Sequence, residues 1–126
     1  MKSLFLTCSF LITINIYGQN VEGVYRVEQQ MESPAISTYN VSLLILEKNG
    51  TYELMQQEYS SKKAMRKNLI LFLEKITGIW KEEDTILILE DAQSNRTLKF
   101  SIKNSRKISL FIEDLEVSDL YWKKIM

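Results

Sequence analysis

The chain has 126 residues with 16 basic and 16 acidic side chains, one cysteine and no histidine. Charge this close to neutral argues against a nucleic-acid partner, whose phosphates favour a basic surface. The absence of histidine removes the commonest general base, the usual triad partner and the standard zinc or copper ligand, so we expect no enzyme, no cofactor and no metal site.

Lys2, a mostly apolar run from Leu4 to Ile16 and a small Gly18 read as an export signal. The run is within the roughly 7 to 15 residues of a signal peptide's apolar region and short of the about 20 needed to span a bilayer. Residues 1–18 are therefore expected to be cleaved, leaving one domain over residues 19–126 that is secreted or periplasmic and has no stable transmembrane anchor. The rival reading makes the run a buried first strand. Cys8 is preceded only by Leu4, Phe5 and Leu6 as apolar residues, too few for a lipoprotein acylation signal, and without it the mature chain has no thiol and no disulfide.

The mature chain then breaks into short β-type runs. The first is Gly23 to Gln29, followed by a loop through Glu32, Ser33 and Pro34. Tyr39 to Leu46 comes next, with Val41, Leu43 and Ile45 on one face, and Asn49-Gly50 joins it to Thr51–Tyr59 as a hairpin, read here as a type I′ turn. Ser60 to Thr77 is ambiguous: Met65, Leu69, Phe72 and Ile76 fall at helical spacing behind Lys62, Lys63, Arg66 and Lys67. We read a short helix or irregular turn to about Lys67 and a strand from Leu69 into Trp80.

Thr85 to Glu90 is apolar on both faces, which predicts a central or doubly covered strand. Leu98, Phe100 and Ile102 alternate with polar residues, Asn104-Ser105-Arg106 turns the chain, and Ile108, Leu110 and Ile112 repeat the alternation. Asp119 to Ile125 closes the domain. Eight strands with short connections predict an all-β, antiparallel up-and-down barrel, with a β-sandwich as the alternative.

Gly23-Val24-Tyr25-Arg26 is echoed by Gly78-Ile79-Trp80-Lys81. In each, the glycine allows close approach of backbone or a ring, and the aromatic two residues on shares its face. With Asn49-Gly50-Thr51-Tyr52 and Tyr121-Trp122-Lys123, these motifs resemble those of the small secreted lipocalin-like barrels of bacteria, including the barrel domain of copper-resistance and envelope-stress lipoproteins. The resemblance implies a lipocalin-like barrel whose floor is capped by Trp80 or Tyr25, with Gly23, Gly78 and Trp122 as further signature positions. Lipoprotein members also carry an acylated cysteine and a Cys-x-x-Cys pair, which this chain lacks, so copper handling and anchoring do not carry over.

Two functions follow as expectations. One is binding of a small apolar ligand in or at the mouth of the barrel by Tyr52, Trp80 and Phe100. The other is a filled barrel that meets an envelope protein through loops such as Gln30 to Thr38 and Ser60 to Asn68, or serves as a structural module. A monomer is expected in either case. The acidic stretch Glu113 to Asp119 reads as a solvated turn, and Glu82, Glu83 and Asp84 as a polar turn with no catalytic pairing. The basic cluster ahead of Leu69 to Leu73 is compatible with an anionic membrane surface, although a strand entering the core is the simpler reading.

Overall fold

The computed structural model describes residues 21–32, 35–112 and 115–126, with backbone alone over 115–119. The expected leader, Ser33, Pro34, Glu113 and Asp114 lie outside the described residues. Eight antiparallel strands close into a barrel in sequence order: β1 Gly23–Glu32, β2 Ser37–Leu46, β3 Thr51–Tyr59, β4 Ile70–Glu83, β5 Ile86–Asp91, β6 Thr97–Asn104, β7 Lys107–Ile112 and β8 Leu115–Lys124. Closure is completed by a short ladder between β1 and β8, in which Tyr25 opposes Lys124 and Arg26 opposes Lys123. A barrel, not a sandwich, is thus the architecture. Among the described residues no helix is long and apolar enough to cross a membrane.

Directly opposed residues in a sheet share a face, so the register sorts the interior into rungs. Gly23, Leu46, Tyr52 and Gly78 form one, and Tyr25, Leu44, Leu54 and Ile76 the next. Above them the rung changes character to Val27, Ser42, Gln56 and Glu74, and then to Gln29, Asn40, Glu58 and Phe72. The inward face of β2 therefore carries Leu44 and Leu46. Val41, Leu43 and Ile45, which the alternation had marked as a common face, point outward. They read as the core face because Ser42 and Asn40 made the true interior face look polar.

Val41 is nevertheless buried. A short helix, α1 (Lys62–Arg66), folds back on the outside of the barrel and covers a second cluster of Tyr39, Val41, Tyr59 and Ala64. Ser61 caps it, its Oγ accepting from Ala64 N at 3.1 Å, and Asn68 takes the left-handed conformation at φ 58° where the helix ends. The ambiguous stretch resolves as the helix-then-strand reading. The Asn49-Gly50 hairpin differs in detail from the expectation: only Gly50 has positive φ, at 91°, and Glu47 O accepts from Gly50 N at 3.1 Å. That is a type I turn followed by a bulge glycine, not a type I′ turn. Asn49 contributes through its side chain instead, Oδ1 accepting from Thr51 N at 3.1 Å and Thr51 Oγ1 at 2.7 Å.

Two further expectations are corrected. On β5, Leu87 and Leu89 are fully buried whereas Ile86 and Ile88 are half-exposed, so the strand is covered on one side only, as any barrel strand with no outer layer must be. The acidic stretch is not all turn, because Leu115 to Asp119 already belongs to the backbone of β8.

Candidate functional site

The barrel divides into a closed apolar half and an open polar half. In the closed half Tyr25, Leu44, Leu54, Leu87, Leu89, Phe100, Ile108 and Trp122 make one core, with Ile76, Trp80, Leu98 and Leu110 packed against it. Phe100 has 0% exposure and meets Trp122 edge to face, centroids 5.3 Å apart and planes at 82°. Tyr25 is buried in the same core, and its hydroxyl donates to Val21 O at 2.7 Å. Burial, with help from the Glu22 and Glu82 charges, pushes this phenol up to about 12. Burial also raises Glu82, which faces inward from β4, and lowers Lys124, whose ammonium lies 5.6 Å from the centre of the Tyr25 ring.

The signature glycines are sites of close approach. A Cβ on Gly78 would meet the Glu90 carbonyl oxygen and come within 2.7 Å of the Tyr52 ring; on Gly23, where φ is 144°, it would lie 2.5 Å from Met126 O. The space beside Gly78 is therefore filled by Tyr52, and of the two rings the motif offered as a floor cap it is Tyr25 that is fully buried. Trp80 is half-buried at the rim, its indole N–H donating to Glu47 O at 2.8 Å and so tying β4 to the β2–β3 turn. The central ring positions belong to Tyr25, Phe100 and Trp122.

The three residues expected to bind a ligand do not converge on one cavity. Phe100 is sealed in the core, and Trp80 sits at the floor rim. Tyr52, whose phenol is raised mainly by burial, lines a cleft of about 160 Å³ with Leu54, Ile76, Leu98, Asp91 and Arg96. Asp91 shapes this edge: its carboxylate accepts from Gln93 N and Ser94 Oγ, both at 2.9 Å, and these hydrogen bonds hold its pKa below the usual carboxylate range.

The open half is a trough of about 450 Å³ between the upper parts of β1 to β4. Gln29, Thr38, Asn40, Ser42, Gln56, Glu58 and Glu74 line it, with Met31 and Phe72 as its apolar members. It is open because the strands around it are unequal. β4 runs for 14 residues, yet its ladder to the 6-residue β5 begins only at Gly78, so Ile70 to Ile76 pairs with β3 alone. Leu69, Ile70, Leu71, Phe72 and Leu73 are between 42% and 62% exposed. Beside them α1 and the Lys67 that ends it present Lys62, Lys63, Arg66 and Lys67, all exposed and none in an ion pair among the described residues.

Sequence reasoning singled out this apolar run but preferred a strand entering the core, because five consecutive apolar residues look like a buried strand whichever way they face; its exposure corrects that preference. A signal was present in the neighbouring strand lengths, since a 14-residue strand cannot be covered along its whole edge by one of 6. Among the described residues no three His, Cys, Asp or Glu side chains gather as metal ligands.

Neither a family model nor a curated protein matches the sequence. The chain is similar to a solved structure described as the Cpx pathway activator NlpE from Escherichia coli, at 13% identity over 72% of this chain and 43% of that one, with a TM-score of 0.48. This chain thus spans less than half the length of that protein. The strand ladders themselves establish the fold.

Proposed function

We propose that this domain is a non-enzymatic protein-interaction module of the bacterial cell envelope, exported by its leader. The observation that carries the reading is the exposed run Leu69 to Leu73 on the open upper part of β4, above a lower half whose interior is filled with its own side chains. Monomeric soluble proteins seldom leave a contiguous apolar strand bare unless something covers it in use. The rival reading, an apolar ligand inside the barrel, draws on the Tyr52 cleft of about 160 Å³, below the roughly 300 to 1,000 Å³ of ordinary ligand sites. The larger trough is open and mixed, with amide and carboxylate side chains interspersed among apolar surface, and apolar cargo would leave those polar groups unpaired.

A photo-crosslinking amino acid placed at Leu71 in cells that export the protein tests the reading, with Lys81 on the far stretch of β4 as control. Adducts to a defined envelope protein from position 71 and none from position 81 are expected. Their absence from position 71, with the protein exported and folded, would overturn it.

A further inference from the structure

Resting on that reading, we propose that the open edge of β4 receives an extended, acidic and apolar segment of a partner protein as an added strand. Alternate residues of a strand direct their backbone N–H and C=O groups to opposite sides. Trp80 N donates toward β3, to Gly50 O at 2.8 Å, whereas Thr77 O accepts from Ala92 N on the β5 side at 2.9 Å. Stepping back in twos from Thr77, Lys75 and Leu73 aim their backbone groups at the side where β5 has already ended. Those groups form a template for another backbone, the geometry of strand addition.

Side-chain chemistry selects the occupant. Phe72 stands on the inner face of the edge and Leu73 on the outer, so an added strand finds apolar neighbours on both faces. Lys62, Lys63, Arg66 and Lys67 stand at the upper end, a field that attracts carboxylates, while Lys75 on the edge itself already lies 3.9 Å from the Glu53 carboxylate. An anionic membrane would satisfy the charges and the leucines, but it offers nothing to the directed N–H and C=O groups, which are costly to leave unpaired in an apolar medium. A second copy fits less well. In antiparallel self-pairing centred on Leu73, Lys75 of one copy would oppose Leu71 of the other, and Leu71 is the extra residue where the β3–β4 register shifts, since Glu58 opposes Phe72 and Tyr59 opposes Ile70.

The test uses the whole exported protein and a capped synthetic peptide alternating valine and glutamate, long enough to lie along Leu73 and Lys75. Binding by fluorescence anisotropy should weaken about tenfold when lysine replaces glutamate, or when Lys62→Glu and Lys63→Glu are combined in the protein, and should weaken with added salt. Bound peptide should slow amide exchange at Leu73 and Lys75 about tenfold or more. The same peptide N-methylated at alternate residues, which cannot complete the ladder, should not bind. Undiminished binding of the methylated peptide, or binding without protection at Leu73 and Lys75, would overturn strand addition while leaving any crosslink from Leu71, and with it the broader reading, intact. Protection of those amides by self-association without peptide, or by vesicles containing phosphatidylglycerol but not by peptide, would overturn it in favour of a second copy or a membrane surface.

Discussion

The lower and upper halves of the barrel are built from the same four strands, β1 to β4, and differ in what lies across from them. Below, β5 to β8 close the circle and enclose the core: Tyr25, Leu44, Leu54 and Ile76 form a rung packed on Leu87, Leu89 and Phe100. Two rungs higher, Gln29, Asn40, Glu58 and Phe72 face a trough. The sequence follows this geometry, replacing leucine by serine, asparagine, glutamine and glutamate where the opposing wall ends. Phe72 and its neighbours on β4 break that pattern, and a residue left apolar where its surroundings call for polar is where a partner is to be sought.

The sharpest way to break the contrast is Phe100→Ala. Its ring is wholly enclosed and meets Trp122 edge to face, so truncation should cost about 3 to 5 kcal/mol, out of the roughly 5 to 15 that hold a domain together. Urea titration followed by far-UV circular dichroism measures it. A loss under about 1 kcal/mol would mean that the lower half is not the closed core described here.

Gly78→Ala comes next. Its methyl would collide with the Glu90 backbone and the Tyr52 ring, and backbone cannot step aside as a flexible side chain can, so a loss of about 1 to 3 kcal/mol is expected. An unchanged midpoint would show that β4 and β5 are farther apart than their register implies.

Titration of Tyr25 should distinguish the halves by pH. Its folded-state value of about 12 is above the ordinary 10.0, so between the two the folded protein holds a proton that the unfolded chain has released. Stability is therefore fully present below pH 10 and falls as pH rises toward 12. In Tyr25→Phe that alkaline decline should be shallower, though not flat, because Tyr39 and Tyr52 are also raised, by the Glu28 hydrogen bond and by burial respectively. Denaturant titrations at stepped alkaline pH would show it, and identical slopes in parent and variant would refute a buried, protonated Tyr25.

Much of this organisation was legible beforehand. Eight strands, their antiparallel order and the Gly23 and Gly78 close approaches followed from alternation and spacing, because those are local properties of a pleated chain. The inner face of β2 was not legible: Val41 is buried by α1, a contact with a helix some twenty residues away along the chain, and Ser42 lines a trough that exists only because β5 is short. Trp80 misled for a related reason. Gly-x-aromatic fixes which face the ring occupies, not its depth, and Tyr52 takes the space beside Gly78.

The corrected place of Trp80 gives a smaller effect. Trp80→Phe keeps most of the ring's packing and loses its hydrogen bond to Glu47 O, which should cost about 0.5 to 1.5 kcal/mol. The indole fluorescence that remains, from Trp122 in the core, should be blue-shifted relative to the parent, in which a half-exposed indole contributes. No spectral change would place Trp80 as deep as Trp122 and restore it as a floor cap.

The smallest expected effect lies on the open edge. Phe72 is 57% exposed, so Phe72→Ala removes little burial and should shift stability by no more than about 0.5 kcal/mol, against about 3 to 5 for the same truncation at Phe100. Because the two residues are alike in chemistry and both face inward, the ratio of their losses measures how completely the upper half is open. Losses of similar size would mean that some part of the chain covers the upper β4 strand in solution, leaving no free edge for a partner. A near-neutral Phe72→Ala that also weakens crosslinking from Leu71 would instead separate the two roles, since the ring would then contribute to what the domain touches and hardly at all to how it folds.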